Sequence, residues 1–358
     1  MRAFFVFVTL LFVSVVSAQT ISGYVYDETE NKPLEGAYVY LDGTTFSVST
    51  DVRGFFKITT SQKYNATLVI SFMGFETLRV EDPYQYTKPF KVLLREDAIA
   101  LKEVVITKGG PFTRKQMLKV FREQFLGKSD SGSSCKIENE DDVSLYFDTA
   151  ANTLHAQSYK PLIINNKRLQ YKISFDLSAF EVGYNIKSLS DFDMRRSFFA
   201  GTTFFTDVST NNSADKKRKA TYLGSVTHLM KAIAADDWRS EKFQLYIDRF
   251  PANHKDYFSV KDTLTGTMVR LINVPESEVK VTGMTLKKKG EVTPSKFSTI
   301  KYVVLYDGKL QSSITFDQGY FYIDQSGLFF PLSELTFSGY MGGLKAGDLL
   351  PNNYNYTP

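Results

Sequence analysis

Short runs of alternating apolar and polar residues, each broken by turn residues, fill positions 21–94. Successive side chains of a strand point to opposite faces, so a period of two is typical of half-buried strands. The turn residues lie at 30–33, 51–54 and 73–74. Seven strands at this spacing predict a two-sheet antiparallel β-sandwich. The predicted strands are 21–27, 37–41, 46–50, 55–59, 68–72, 75–80 and 90–94.

The N-terminus has the parts of a cleavable export signal. Arg2 gives a positive start, residues 3–16 are almost entirely apolar, and Ser17 and Ala18 supply small residues for cleavage. The apolar run is shorter than the ~20 residues that span a bilayer, which argues against the alternative of a membrane anchor. We therefore expect residues 1–18 to be removed. The mature protein would begin at Gln19 and lie in the periplasm or in peripheral association with the outer membrane.

Composition narrows the classes of structure and partner. The chain is long enough for two domains, predicted at 19–107 and 108–358, and no second apolar stretch predicts a transmembrane helix. Cys135 is the only cysteine, so no intramolecular disulfide forms, and we predict a buried small apolar side chain. The 43 basic and 39 acidic residues are dispersed, so nucleic acid is not an expected partner. The basic clusters 216–219 and 287–289 are predicted to be solvated, in turn-like settings.

Two helices are predicted after the break at 108–111. Thr113 and Gln116 form a capping box, and Gly127 supplies a stop. Ser225 caps the second helix. Apolar residues at helical spacing predict the buried faces, which are Met117, Val120, Phe121 and Phe125 in the first helix and Leu229, Met230 and Ile233 in the second.

The rest of this region alternates like the first and predicts a mainly β fold with about two helices. The predicted strands are 143–147, 169–177, 202–208, 243–247, 268–273, 279–286, 299–306, 313–316, 320–323 and 334–339.

Four motifs carry a family resemblance, and they are ISGYVYD at 21–27, KPLEGAYV at 32–39, TDVRGFFKI at 50–58 and LVISFMGFE at 68–76. In this order they resemble the carboxypeptidase-like regulatory domain, a transthyretin-like sandwich common in Bacteroidetes envelope proteins. Residues 101–107 resemble the exit strand of that domain. Blocks at 121–127, 135–142, 161–166 and 222–228 resemble short Bacteroidetes proteins with an uncharacterised β-rich C-terminal domain. The resemblance implies a non-catalytic domain and supplies no catalytic residues.

Motifs for catalysis are missing from the sequence. The three histidines, His155, His228 and His254, lie in no zinc-binding pattern, and each is predicted to have a structural role. No nucleophile elbow, P-loop or dinucleotide fingerprint occurs. We therefore predict no enzyme activity, no cofactor, and no catalytic, cofactor-binding or metal-binding residue.

Two local features leave alternatives open. The acidic run Glu138, Glu140, Asp141 and Asp142 could offer oxygens to calcium, but it lacks the spacing of a calcium loop, which favours a solvated turn or salt bridges. Asp148-Thr149-Ala150 and Asp262-Thr263-Leu264 resemble the O-glycosylation motif of exported Bacteroidetes proteins. The alternative is that Thr149, Thr263 or both lie within strands and are never modified.

The leading hypothesis is a non-enzymatic binding or assembly module of the cell envelope, an accessory to outer-membrane protein or glycan-handling machinery, whose partner is an envelope protein or a glycan. A carbohydrate- or peptide-active hydrolase is one alternative. A small outer-membrane β-barrel is another, but several predicted strands are shorter than the ~9–11 residues that a spanning strand needs. Trp238 is the only tryptophan, so a stacked indole platform for sugars is not predicted.

Overall fold

The structure is a computed structural model that describes residues 19–97, 110–247, 249–264, 266–273 and 302–356. The chain divides into two units, Met1–Lys102 and Glu103–Pro358. No helix in the described ranges is long and apolar enough to cross a membrane. Predictions that lie outside these ranges are the export signal at 1–18, the exit strand at 101–107, the strand at 279–286 and the basic cluster at 287–289.

The first unit is a β-sandwich, and each of its seven predicted strands is present. They are β1 (Gln19–Asp27), β2 (Tyr38–Leu41), β3 (Ser47–Ser49), β4 (Phe55–Thr60), β5 (Leu68–Ser71), β6 (Leu78–Val80) and β7 (Phe90–Leu94). One sheet has the order β4-β1-β7 and the other the order β3-β2-β5-β6. Ile21, Val25, Phe56 and Ile70 are among the side chains that form the core. The mainly β fold class and the sandwich are therefore confirmed.

The prediction of a fully antiparallel packing is wrong for one strand pair. Strands β1 and β7 run parallel, with Gly23 opposite Phe90 and Asp27 opposite Leu94. They are the first and last strands of the sandwich, so no hairpin joins them and fixes their relative direction. A period of two shows which face a side chain occupies but carries no information about strand direction.

The turn predicted at residues 51–54 is held by one carboxylate. Asp51 Oδ1 accepts hydrogen bonds from the backbone N–H groups of Arg53, at 2.8 Å, and Phe55, at 2.9 Å. Gly54 has φ +72°, and a Cβ there would lie 2.4 Å from the carbonyl oxygen of Val25. Only glycine accommodates both that backbone angle and that close approach.

The first half of the second unit packs one sheet against a helix. Its elements are α1 (Arg114–Phe125), α2 (Asp130–Ser133), β8 (Cys135–Ile137), β9 (Val143–Asp148), β10 (Thr153–Ser158), β11 (Leu162–Asn166), β12 (Tyr171–Tyr184) and β13 (Met194–Asp207). The order β8-β11-β12-β10-β9 is completed by β13, which pairs with β12. In the predicted capping box, Thr113 N–H donates to Gln116 Oε1 at 2.9 Å, and Gln116 N–H donates to Thr113 Oγ1 at 3.3 Å. Phe121 and Phe125 bury the helix against the sheet.

The second half forms two further sheets around a separate apolar cluster. Its elements are α3 (Asp215–Tyr222), α4 (Val226–Ala234), β14 (Phe243–Ile247), β15 (Phe250–Ala252), β16 (Phe258–Thr263), β17 (Gly266–Leu271), β18 (Tyr302–Tyr306), β19 (Leu310–Phe316), β20 (Tyr320–Ile323), β21 (Phe329–Phe330), β22 (Leu335–Gly339) and α5 (Tyr340–Gly343). The sheets have the orders β15-β14-β18-β19-β22 and β16-β17-β20-β21. Leu229, Met230 and Ile233 of α4 lie in the cluster as predicted.

The structure adds elements that the sequence pattern did not predict. Three helices were not predicted, and they are α2, α3 and α5. The strands that were not predicted are β8, β10, β11, β15, β16 and β21. Helices α2 and α5 have four residues each, too few for a helical period to show. Strands β8, β15 and β21 have two or three residues, which is too short for an alternation.

Candidate functional site

A cavity of about 200 Å³ lies in the second unit beside α4. Its lining comes from α3, α4, the loop between β20 and β21, and the C-terminal segment from Met341 to Tyr354. Most of the wall is apolar, including Val226, Leu328 and Leu344. The charged side chains in the lining are Lys231, Lys345 and Asp348. Apolar walls with a few charged groups are typical of small-molecule sites, and we call this feature the α4 cavity.

Helix α4 contributes to the apolar cluster and to the cavity with different faces. Ser225 Oγ accepts from the backbone N–H of His228 at 3.2 Å, which starts the helix. Leu229 is fully buried in the apolar cluster. Thr227 and Lys231 are four residues apart, so they lie on one face, and both line the cavity.

The loop between β20 and β21 packs closely against α4. Asp324 Oδ1 accepts from the backbone N–H groups of Ser326, at 2.8 Å, and Leu328, at 2.9 Å. Gly327 has φ +83°, and a Cβ there would lie 2.9 Å from both the Thr227 carbonyl oxygen and Lys231 Cγ. The loop therefore places Ser326 and Leu328 in the wall of the cavity.

Asp324 is a buried carboxylate next to this wall. It is 8% exposed, and its Oδ2 atom has no hydrogen-bond partner in the described part of the chain. Burial raises the pKa of Asp324, and the backbone hydrogen bonds and the positive charge of Lys231 oppose that shift. The carboxylate and Lys231 thus influence each other electrostatically without a direct ion pair among the described residues.

The two lysines of the cavity are also partly desolvated. Burial lowers the pKa of Lys231, an effect that the charge of Asp324 opposes. The Lys231 ammonium lies 5.7 Å from the ring centroid of Tyr222. Burial alone lowers the pKa of Lys345. Within the described ranges neither ammonium forms an ion pair, so both amines have hydrogen-bonding capacity for a ligand.

Among the described residues, Asp348 is the one carboxylate in the lining of the cavity, and its oxygens already have donors. One accepts from the Ser129 hydroxyl at 2.6 Å and the other from the Lys345 backbone N–H at 3.1 Å. Burial raises the pKa of Asp348. Thr221, Leu344 and Asp348 also line a second cavity, of about 220 Å³.

Aromatic contacts hold the C-terminal segment against α3. The rings of Tyr354 and Tyr356 lie 6.0 Å and 5.1 Å from the ring of Tyr222. The Lys219 ammonium lies 4.9 Å from the Tyr356 ring centroid. Since residues 349–352 and Tyr354 line the cavity, these contacts position one of its walls.

His228 is buried and has partners at both ring nitrogens. It is 2% exposed, Nδ1 accepts from the Gly224 backbone N–H at 3.0 Å, and Nε2 lies 2.8 Å from Glu241 Oε2. A nitrogen that accepts carries no proton, so the proton of the neutral ring lies on Nε2 and is donated to Glu241. Burial lowers the pKa of His228, and the hydrogen bond to Glu241 opposes this shift. The ring fixes the turn before α4.

The other two histidines lie elsewhere in the second unit. His254 Nε2 is 2.7 Å from Asp236 Oδ1, and its ring stacks on Trp238 with centroids 5.0 Å apart. His155 stacks on Tyr146 at 4.8 Å. Among the described residues, no group of three or more His, Cys, Asp or Glu side chains is placed to hold a metal ion.

Cys135 is half-buried against the apolar cluster that contains α1. Its thiol donates to the Ser131 carbonyl oxygen at 3.3 Å. Burial raises the pKa of Cys135 to about 12, so the side chain stays a thiol at neutral pH. The thiolate is the reactive form of cysteine, so this side chain is a poor nucleophile.

Glu138, Glu140 and Asp142 of the acidic run each form an ion pair with a basic side chain. Glu138 Oε2 lies 3.1 Å from Lys172 Nζ, and Asp142 Oδ1 lies 3.4 Å from Lys160 Nζ. Glu140 accepts from the guanidinium of Arg122. These contacts agree with the salt-bridge alternative for the run.

The turn-like setting predicted for residues 216–219 is wrong, because they lie in α3. Lys216 and Lys217 are exposed as predicted, but Arg218 is only 5% exposed. Its guanidinium donates to both Asp207 oxygens, at 2.7 Å and 2.8 Å, and to the carbonyl oxygen of Leu169 at 2.8 Å. It also lies 3.9 Å from the ring centroid of Tyr171. The residues that bury this charge are distant in the sequence, so the run of basic residues alone could not predict the burial.

Sequence reasoning did not select the residues of the α4 cavity. Lys231 is the only charged residue in the segment VTHLMKAIA that forms α4. This single lysine in an apolar helix was the sequence feature that could have indicated the cavity. Lys345 and Asp348 come from a segment for which no element was predicted.

Residues 21–106 match the family model described as CarboxypepD_reg-like domain. This match confirms the resemblance that the four motifs carry, and domains of this family are non-catalytic. No curated protein matches the chain.

Proposed function

We propose that this protein is a non-enzymatic binding module of the bacterial cell envelope and that its second unit holds a small ligand in the α4 cavity. The observation that carries the proposal is the cavity itself, with apolar walls and two lysines that form no ion pair within the described ranges. Its volume of about 200 Å³ exceeds the ~150 Å³ of an engineered cavity that binds benzene. A ligand of roughly ten heavy atoms therefore fits.

The N-terminal residues and the domain type support a proposed location. Residues 1–18 have the pattern of an export signal. Residues 21–106 match the CarboxypepD_reg-like domain, and the sequence motifs there resemble a domain of Bacteroidetes envelope proteins. We propose that the mature protein is periplasmic or peripherally bound to the outer membrane. Its sandwich would contact an envelope protein or a glycan.

The chemistry of the described side chains supports binding rather than catalysis. Covalent catalysis needs a nucleophile activated by a neighbouring base, and Cys135 stays protonated. Both ring nitrogens of His228 already have partners. Purified mature protein should therefore hydrolyse neither peptides nor glycans. Turnover of either substrate that a carboxylate substitution such as Asp141→Asn abolishes would contradict this.

A ligand retained from the native host tests the cavity. The mature protein is purified from a periplasmic extract, and native mass spectrometry measures any small molecule that denaturation releases. Leu344→Trp fills the cavity, and Leu332→Trp, at a position 73% exposed, is the matched control. We expect the Leu344 variant to lose the molecule and the control to keep it. Equal retention by both variants, or a protein found in the cytoplasm with Met1, would contradict the proposal.

A further inference from the structure

We propose that the α4 cavity binds a carboxylate that bears a short apolar chain, with the carboxylate paired to Lys231 and Lys345 and the chain against the apolar wall. This inference rests on the proposed ligand-binding function and names the chemical class of the ligand. The probe of that class is octanoate, which has ten heavy atoms.

The charges around the cavity favour an anion. Lys231 and Lys345 are the two cationic side chains of the lining, and neither forms an ion pair in the described part of the chain. The single carboxylate of the lining, Asp348, already accepts hydrogen bonds from Ser129 and from the Lys345 backbone. Asp324 is next to the wall but is not among the lining residues, so a ligand would contact two ammonium groups and one carboxylate that is already bonded, which disfavours a cation.

Partial burial strengthens this preference. A hydrogen bond to a charged group is stronger where water is excluded, since the effective dielectric is lower there. Lys231 and Lys345 are both half-buried, and burial lowers the pKa of each. A bound carboxylate would replace the missing solvation and would raise the pKa of both amines.

The apolar wall explains why an inorganic anion would bind less well than an amphiphilic one. Leu328, Met341 and Leu344 line the same cavity as the lysines. Each methylene group that leaves water adds to the affinity, so a chain of several carbons binds more tightly than acetate. The ligand class therefore combines one carboxylate with a chain of several carbons.

Isothermal titration calorimetry on the full mature protein tests the class with four probes. We expect octanoate to bind with one-to-one stoichiometry and 1-octanol to bind at least tenfold more weakly. Octylamine and acetate should give no measurable heat. Binding of 1-octanol or octylamine as tight as that of octanoate would overturn the anion preference while leaving the ligand-binding function intact. Absence of octanoate binding would also overturn the inference, and the retained-ligand experiment would still judge the proposed function.

Variants locate the charge requirement. Lys231→Met and Lys345→Met keep the chain length and remove the charge, and each should weaken octanoate binding about tenfold or more. Lys217→Met removes the same charge at an exposed position of α3 and should leave the affinity unchanged. Lys231→Arg keeps the positive charge and should bind octanoate with most of the wild-type affinity. This comparison separates the effect of the charge from the effect of altered packing. Wild-type affinity in both methionine variants, with thermal unfolding unchanged, would overturn the inference.

Discussion

At the residue scale, Arg218 is a buried charged side chain with several hydrogen-bond partners. Its guanidinium donates hydrogen bonds to the Asp207 carboxylate and to the carbonyl oxygens of Leu169 and Gln170. The side chain is almost fully buried. Arg218→Met leaves the buried carbonyl oxygen of Leu169 without its donor, at a cost of about 1–3 kcal/mol, whereas Asp207 is 43% exposed and can be hydrated. We expect this variant to lower the free energy of unfolding by about 1–3 kcal/mol in urea titrations. Lys217→Met should change it by less than about 0.5 kcal/mol. Equal effects of the two variants would show that the buried guanidinium has no special role.

The same pair predicts a dependence of stability on acid. The hydrogen bonds from Arg218 lower the pKa of Asp207 from 3.8 to about 2. Because the folded pKa lies below the unfolded one, the contribution is complete above about pH 4 and is lost as the pH falls toward 2. Unfolding midpoints measured across this range should fall less steeply in Asp207→Asn than in the wild type. Parallel curves for the two proteins would contradict the prediction.

The two candidate glycosylation sites differ in structure, which predicts different outcomes. Thr149 is exposed in the turn between β9 and β10. Thr263 ends β16, and its hydroxyl donates to the Gly266 carbonyl oxygen at 2.7 Å. We expect the protein from its native host to carry a glycan on Thr149 and none on Thr263, which the intact masses of the Thr149→Ala and Thr263→Ala variants would show. An unmodified wild-type mass would remove the claim.

At the element scale, the packing of the β20–β21 loop on α4 depends on Gly327. An alanine there meets both an unfavourable φ of +83° and atoms of Thr227 and Lys231 at 2.9 Å to 3.0 Å. Gly308 has φ +67° but no atom within 4 Å, so Gly308→Ala isolates the backbone effect. We expect Gly308→Ala to cost about 1–2 kcal/mol and Gly327→Ala to cost a further ~1–3 kcal/mol, measured by chemical unfolding. Equal costs would mean that the loop can move away from the helix.

At the scale of the whole molecule, the sandwich is predicted to fold without the second unit. Residues 19–97 contain both sheets and a core of their own. A fragment of these residues should unfold cooperatively, and Phe56→Ala or Ile70→Ala should destabilise it by about 2–5 kcal/mol, because both side chains are fully buried. Val52→Ala, at a position 68% exposed, is the control. A fragment without a cooperative transition would contradict the prediction.

Elements with local sequence signals were predicted correctly. The alternation in residues 21–94 predicts each strand of the sandwich, since the faces of a strand are read from neighbouring residues. Two helices were also predicted from local signals. The capping box of Thr113 and Gln116 starts α1, and Ser225 with the apolar face of α4 marks the other helix. Strands β10 and β16 were not predicted, because their sequences TLHAQS and FSVKDT do not alternate cleanly between apolar and polar residues. Pairing with neighbouring strands decides their conformation.

The tertiary structure alone decided three further properties. Strands β1 and β7 are parallel because the path of the chain between them, and not their own residues, sets their direction. Arg218 is buried because Asp207 and the carbonyl oxygens before β12 meet it in space. The α4 cavity joins Phe199, Lys231, Leu328 and Lys345 across more than a hundred positions. Burial and desolvation depend on such long-range contacts, so the groups that would bind a ligand become visible only once the chain has folded.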